Sequence, residues 1–539
     1  MKITVGEIVL WGGEKINSSP FLIIKKLNSQ NFLALPISKP AGKMLAWELR
    51  ISRESLVKGE QLAPAKVTIF LPLVVKQQEC GEIVAQVSRE FLDSVLRDWV
   101  KFSAQAHYEA MNDSVSNEKR YFPPSGKVIG EPELFNMLES SLDMWLTAGR
   151  YNRAFEEKLS EFLNINHVLT VNSGSSANLL ALTALRAPEL GGKRLKAGDE
   201  VLTVAAGFPT TITPIIQNQL LPVFVDIELG NYNIDVAQIE EALTPKTKAI
   251  FIAHTLGNPF NLDAVMKIAE KYGLWVIEDN CDALGSKYQE RYTGTFGHLA
   301  TFSFYPAHHI TMGEGGAVAT SDPQIYKLLL SYRDWGRDCW CPPGEDNSCN
   351  RRFNWKFGQL PQGYDHKYVY SHLGYNFKIT DWQAAIGLAQ LQRLPEFIAK
   401  RKQNFKLLYQ GMEKLKDWFI LPEALKNVDP AWFGFILSVK DQDKLDKIGL
   451  VKYLEEHKIG TRPLFAGNIL RHPAFTNGDI NLRIRNSKLL NSSSLSEKHY
   501  QILPNSDFVT RHTFWLGLWP GVTEQHILNT LKVFQEYCR

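Results

Sequence analysis

A chain of 539 residues with 44% apolar and 22% charged side chains has the composition of a folded globular protein of roughly three or four domains, so disordered and fibrous classes are excluded. The formal net charge of +3 comes with no long basic stripe, so nucleic acid is not an expected partner. The longest apolar run, Val67 to Val75, is far too short to span a bilayer, and no apolar leader opens the chain, so a cytoplasmic protein off the membrane is the expectation.

Residues 1–110 alternate short runs rich in Val, Ile, Leu and Phe (Glu7–Leu10, Phe21–Lys26, Phe32–Pro36, Val67–Val75) with turn residues, which predicts a small all-β barrel. A helical pattern follows from Ser88 to Phe102, with Phe91, Leu92, Val95, Leu96 and Trp99 on one face. The order of these runs loosely resembles the SH3-like PemK/MazF toxin barrels. Ser19 and Ser38 occupy the places of the toxins' arginine and threonine, so a non-catalytic accessory domain is expected rather than a nuclease. Residues 111–124 are polar and read as a linker.

From 125 to 390 helical and strand patterns alternate, which predicts a mainly parallel sheet covered by helices. A strand at His167–Val171 runs into Asn172-Ser173-Gly174-Ser175-Ser176 and a helix, Leu179–Leu185. Free amides at such a helix start suit an anion, although Ser175 or Asn172 acting as a plain N-cap explains the same residues. A second strand, from Glu200, ends near Phe208, whose ring suits either the core or a flat ligand. A third, Leu274 to Asp279, ends in carboxylates, where α/β sheets place ligands. A helix N-cap aspartate is one reading of Asp279, with Asp282 close behind it. The apolar strand Leu299–Phe304 then enters a polar turn and a glycine-rich return, Ser303 to Gly316, which contains His308 and His309.

Six cysteines in this length are not a disulfide framework. Four are spaced as Cys281, 57 residues, Cys339, one residue, Cys341, seven residues, Cys349, the last three in an aperiodic loop. Such a set can hold zinc or an iron–sulfur cluster, but the Cys-x-Cys pair fits zinc knuckles poorly. Residues 391–539 carry mixed patterns, with helices expected at Pro395–Leu415, Lys444–His457 and Thr523–Tyr537, and read as a smaller α+β domain.

The Ser303–Gly316 stretch, the Ser173–Ser176 loop, Pro222-Val-Phe-Val-Asp226 and the Asn376 segment together resemble the DegT/DnrJ/StrS sugar aminotransferases of pyridoxal-phosphate fold type I, from about Ser125 to the C-terminus. In that family the fifth residue after the serine is a lysine that forms the Schiff base; here it is His308. The resemblance implies cofactor contacts from Ser173, Gly174, Ser175, Ser176, Ser303, Phe208 and Asp279, with Asn376 reaching the neighbouring subunit's phosphate in a homodimer. Lys378 stands where relatives have arginine.

The histidine and the four cysteines occur together in one subgroup, the CDP-4-keto-6-deoxy-D-glucose 3-dehydrases. Resemblance to that subgroup implies pyridoxamine phosphate as a non-covalent cofactor, with His308 moving a proton and Arg462 and Arg471 pairing the substrate diphosphate. It further implies a [2Fe–2S] cluster on Cys281, Cys339, Cys341 and Cys349, and a flavin/iron–sulfur NAD(P)H-dependent reductase as partner. A cluster-free 3-dehydrase and a non-catalytic regulator acting through the N-terminal barrel are the competing readings.

Overall fold

The computed structural model describes residues 121–538, the backbone of five strands between Glu7 and Gln86, and seven residues of a helix between Arg97 and Tyr108. The chain divides into two units, Met1–Glu118 with Gly130–Met144, and Lys119–Ile129 with Trp145–Arg539.

In the first unit an antiparallel sheet runs in the order Leu73–Lys76, Asn31–Pro36, Pro20–Lys26, Glu7–Trp11, Cys80–Gln86. Three strands fall within a residue of the expected runs. The beginning of the Val67–Val75 run, Ser19, Ser38, the linker up to residue 120 and any closure of the sheet into a barrel lie outside the described residues. The helix Glu131–Leu142 groups with this unit, whereas the sequence reading opens the large domain at Ser125. Arg97 ties the helix down by donating to Glu139 at 2.8 Å and Asp143 at 3.1 Å, and Lys101 pairs with Glu139 as well.

The second unit is built on a nine-stranded sheet. Its order is Leu490–Asn491, Asn481–Ile484, Leu221–Val225, Glu200–Val204, Thr247–Ala253, Trp275–Asp279, Leu299–Ser303, Gly316–Thr320, His167–Val171. The pairings from Asn481–Ile484 to Leu299–Ser303 are all parallel, while Gly316–Thr320 is antiparallel to both neighbours. The central strands are buried along their whole length, as their unbroken apolar runs require of a sheet covered on both faces. The strand Asn481–Ile484 extends this large sheet, so the span 391–539 is not confined to a separate small domain.

The covering helices follow from their patterns. In Arg150–Leu163, Tyr151, Phe155, Leu159 and Leu163 recur on one face and are buried, each burial stabilising by about 1.5–3 kcal/mol. Its N-cap, Gly149, has no side chain, and Asp381 substitutes by accepting from the amides of Gly149 (2.9 Å), Tyr151 (3.2 Å) and Asn152 (2.9 Å). Asn164 ends the helix in the left-handed conformation at φ 54°.

The expected helix at Pro395 starts earlier. Thr380 and Gln383 form a capping box, and the helix runs 32 residues from Asp381 to Met412 with Pro395 inside. Burial of Leu391, Leu394 and Phe397 around the proline holds the helix through the lost backbone hydrogen bond. Beyond it, a smaller antiparallel sheet orders Phe419–Ile420, Gly434–Val439, Thr513–Gly517 and Thr461–Arg462, covered by Lys447–Glu456 and Glu524–Tyr537. Among the described residues no helix is long and apolar enough to cross a membrane.

Candidate active site

The site gathers where the sheet's strands end. The antiparallel strand Gly316–Thr320 pairs Gly316 with Ser303 on one side and with Val171 on the other, which draws the Ser173–Ser176 turn against Ser303. The approach is close enough to exclude side chains. A Cβ on Gly174 would lie 2.5 Å from Ser303 Cβ, and one on Gly316 would lie 2.5 Å from the Ser173 carbonyl carbon and oxygen. Ser173, rather than Asn172 or Ser175, caps the helix Gly174–Ala184, because the helix starts one residue after it; its Oγ accepts from the Ser176 amide at 3.1 Å. Ser175 is exposed on the first turn, and the turn's remaining amides with the helix dipole make a cradle of the right charge for a phosphate.

Asp279 ends its strand nearly buried. Its Oδ2 accepts from Asn178 (2.9 Å) and Thr211 (2.7 Å), and its Oδ1 accepts from the Cys281 amide (3.2 Å). Asn178 and Thr211 were not singled out from the sequence; Asn178 lies one helical turn past the serine-rich loop, a spacing that would have found it. Phe208 is half exposed, with its ring edge-on to Phe465 at 6.1 Å, so it does not belong to the core.

His308 sits in the return between Phe304 and Gly315, which is anchored by buried Phe304, Ile310 and Met312 and by the Met312 amide donating to the Phe304 carbonyl at 2.8 Å. The His308 Nδ1 lies 3.3 Å from Asp282 Oδ1, an ion-pair distance without hydrogen-bond alignment. Behind it, fully buried Arg401 donates to the carbonyls of His308 (3.2 Å) and Phe433 (3.1 Å), and burial pushes its pKa down to about 9. No pattern in the sequence marks this arginine, which reaches the site from the middle of a long helix 93 residues away. His309 points inward instead. It is buried, its Nε2 faces the Ala431 carbonyl at 3.3 Å, and burial, with Arg401 and His308 nearby, holds it well below the usual imidazole range.

The other predicted residues divide. Asn376 is exposed and accepts from Lys378 at 2.7 Å; the Lys378 ammonium lies 3.4 Å over the Trp335 ring, and burial lowers its pKa. Arg462 is exposed, donates to the Thr461 carbonyl (2.7 Å) and interacts with the Tyr121 hydroxyl.

Arg471 is committed elsewhere. It donates to both oxygens of Asp507 (2.7 and 2.6 Å) and both of Glu497 (2.7 Å each), and these hydrogen bonds hold its proton far more tightly than usual. Two carboxylates neutralise the guanidinium, which takes Arg471 out of the expected diphosphate contact. Arg471→Ala is expected to cost about 1–3 kcal/mol, seen in a denaturant melt, by leaving nearly buried Asp507 with only Asn468 and the more distant Arg511. The same variant should leave the KM for a nucleotide sugar within about threefold, and a large KM change would restore the substrate role.

The cysteines do not form one set. Cys339, Cys341 and Cys349 line a cavity of about 10 Å³ together with His366, Asn347, Arg352 and Lys367. Cys281 is not among the lining residues. Its sulfur packs beside Gly174, where a Cβ would lie 3.1 Å from it, and burial, with Asp279 adjacent, pushes its thiol well up. Among the described residues no three ligating side chains are arranged to hold an ion, and no chemical step is routed through a cluster.

With this geometry in place, residues 129–533 match the DegT/DnrJ/EryC1/StrS aminotransferase family. The chain is 56% identical over 415 residues, 77% of its length and 91% of the relative's, to the lipopolysaccharide biosynthesis protein RfbH of Salmonella typhimurium. It is 48% identical over 414 residues, 77% of its length and 86% of the relative's, to a dTDP-4-dehydro-2,6-dideoxy-D-glucose 3-dehydratase of Saccharopolyspora spinosa. Among solved structures, the E. coli GDP-4-keto-6-deoxy-D-mannose-3-dehydratase with bound hydrated PLP superposes with a TM-score of 0.66 at 27% identity, over 76% of this chain and 98% of that one. The chain belongs to the DegT/DnrJ/EryC1/StrS aminotransferase family.

Proposed function

We propose that the protein is a pyridoxamine-phosphate-dependent, iron–sulfur 3-dehydrase that removes the C3 hydroxyl of a CDP-linked 4-keto-6-deoxyhexose in dideoxysugar synthesis. The observation that carries this reading is His308, an imidazole in a loop anchored on both sides, at the position where aminotransferases of this family resemblance carry the Schiff-base lysine. Relatives named as 3-dehydratases of dTDP- and GDP-linked sugars support the reaction class, and RfbH supports a polysaccharide setting.

The residues fit the cofactor. When bound, pyridoxamine phosphate supplies an amine for the 4-keto group and a protonated ring that accepts electrons as the C3–O bond breaks. The Ser173–Ser176 amides and the Ser303 hydroxyl would hold the phosphate, in a cradle that Gly174 and Gly316 keep open. Asp279, oriented by Asn178 and Thr211, would pair with the ring nitrogen and keep it protonated. The half-exposed Phe208 would supply an aromatic face for the ring.

His308 moves the proton at the C4′ carbon that bears the amine, with Asp282 beside its Nδ1 and Arg401 fixing the backbone it hangs from. Arg462 remains available for the diphosphate, and Asn376 for the phosphate of a second copy in a homodimer. Replacing hydroxyl by hydrogen takes two electrons and two protons, and a flavin/iron–sulfur NAD(P)H-dependent reductase is the proposed source of the electrons.

A cluster-free 3-dehydrase is the second reading, favoured by the separation of Cys281 from the other three cysteines. The test is incubation of the protein with CDP-4-keto-6-deoxyglucose and pyridoxamine phosphate, with and without reductase and NADH, followed by mass spectrometry. Loss of the C3 oxygen only with reductase supports the first reading, and loss without reductase supports the second. Simple transfer of an amino group to C4 would sink both.

A further inference from the structure

We infer that Phe433 is a positioning residue for His308, brought to it by a strained backbone junction between residues 255–257 and 431–433; the role of His308 itself rests on the dehydrase reading proposed above.

The ring of Phe433 is the aromatic surface against which the imidazole lies. It is buried, and its centroid is 5.3 Å from that of His308, with the two planes at 51°. His309 (6.3 Å), Trp515 (5.5 Å, edge-on) and the Arg401 guanidinium (5.7 Å) surround the same ring, which leaves it little room to turn away. Asp282 lies 3.3 Å from the His308 Nδ1 without hydrogen-bond alignment, so packing rather than a hydrogen bond sets the direction of the imidazole.

The backbone that delivers this ring is strained on both sides. Leu256 (φ 44°) and Trp432 (φ 39°) are left-handed, a region that large side chains enter only where their surroundings over-determine it. Both are buried, and their segments meet: the Phe433 amide donates to the Leu256 carbonyl at 2.8 Å. Gly257, at φ 88°, lets them close. A Cβ there would lie 2.9 Å from the Phe433 nitrogen and 3.0 Å from both the Trp432 nitrogen and the Asp282 carbonyl oxygen.

The junction is fastened from several directions. Ser286 Oγ donates to the Gly257 carbonyl (2.7 Å) and accepts from the Ala431 amide (2.8 Å), and Trp432 stacks on Phe405 at 4.0 Å. Arg401 donates to the carbonyls of Phe433 (3.1 Å) and His308 (3.2 Å), tying the ring and the histidine to one guanidinium. A chain reversal alone needs no large residue in a left-handed conformation, since glycine or asparagine makes it without strain. Here the strained contacts fix two groups that face His308: the ring of Phe433 and, against Gly257, the segment that carries Asp282.

The experiment uses the full chain with Phe433→Leu, Phe433→Tyr and Gly257→Ala, each alone and combined with His308→Lys. With CDP-4-keto-6-deoxyglucose, pyridoxamine phosphate and reductase, Phe433→Leu and Gly257→Ala should lower kcat about 10–100-fold, the cost of a misplacement near 1 Å, with KM within about threefold. Combined with His308→Lys, the same two changes should slow formation of the yellow Schiff base with pyridoxal phosphate about tenfold, a readout that needs no dehydration. Phe433→Tyr keeps the ring and should recover most of both. Cofactor-free melting curves confirm that each chain scored is folded, and Phe433→Met replaces Phe433→Leu if the latter loses its cooperative transition.

Wild-type kcat and an unaltered Schiff-base rate in folded Phe433→Leu overturn the inference, as does a loss confined to KM. If wild type dehydrates no nucleotide sugar, the dehydrase reading fails, and the Schiff-base rates alone decide whether Phe433 positions residue 308.

Discussion

His308→Lys is expected to yield a yellow protein that carries pyridoxal phosphate as a Schiff base on the new side-chain amine, and to lower C3 dehydration by about 10²–10⁴-fold, the range for losing a positioned proton-transfer group. The backbone that presents the residue should be undisturbed. Phe304, Ile310 and Met312 anchor the loop, and Arg401 holds the residue's carbonyl rather than its ring. Borohydride reduction and peptide mapping would locate the adduct at position 308, while product analysis measures dehydration. Because His309 is buried and held neutral against the Ala431 carbonyl, it cannot substitute. Dehydration at the wild-type rate in this variant would remove His308 from the chemistry.

Asp279 carries the second large effect. Asp279→Asn keeps a side chain of the same shape among Asn178 and Thr211 but removes the charge proposed to pair with the cofactor's ring nitrogen. Turnover is expected to fall about 10²–10³-fold, the cost of losing one preorganised electrostatic contact, while the melting temperature changes little. Asp279→Ala should add a stability loss of about 1–3 kcal/mol, because two buried donors lose their acceptor. Cofactor binding followed by absorbance, alongside turnover, separates the two contributions. An asparagine variant with unaltered cofactor affinity and turnover would assign Asp279 to helix and strand packing alone.

How far the site was legible depended on how local its physics is. Ser173 to Ser176, Ser303, His308 and Asp279 stood out because each lies at the end of a readable strand, where a turn and helix start follow within a few residues. Arg401 was invisible. Its burial and its grip on the His308 carbonyl come from how a helix formed by 381–412 lies against a distant loop, and no local pattern encodes that. Arg471 failed for a related reason: its position within a plausible motif said nothing of Asp507 and Glu497, 36 and 26 residues further on, which absorb its charge.

The same division holds for the fold. The strands and their burial on both faces were written in the unbroken apolar runs, and the caps of the helices in the residues beside them. That Asn481–Ile484 returns to the edge of the large sheet, or that Asp381 caps a helix more than two hundred residues earlier, is a matter of long-range docking.

By itself, then, the sequence determined the mainly parallel α/β architecture, the serine-rich turn at a helix start, the aspartate at a strand end and the histidine at position 308, because periodicity and turn chemistry act over a few residues. Only the tertiary structure decided which of two adjacent histidines is buried, which arginine is held by two carboxylates, and which cysteines share a cavity. Those outcomes depend on burial and on partners supplied by distant segments, and spacing along the chain carries no information about either.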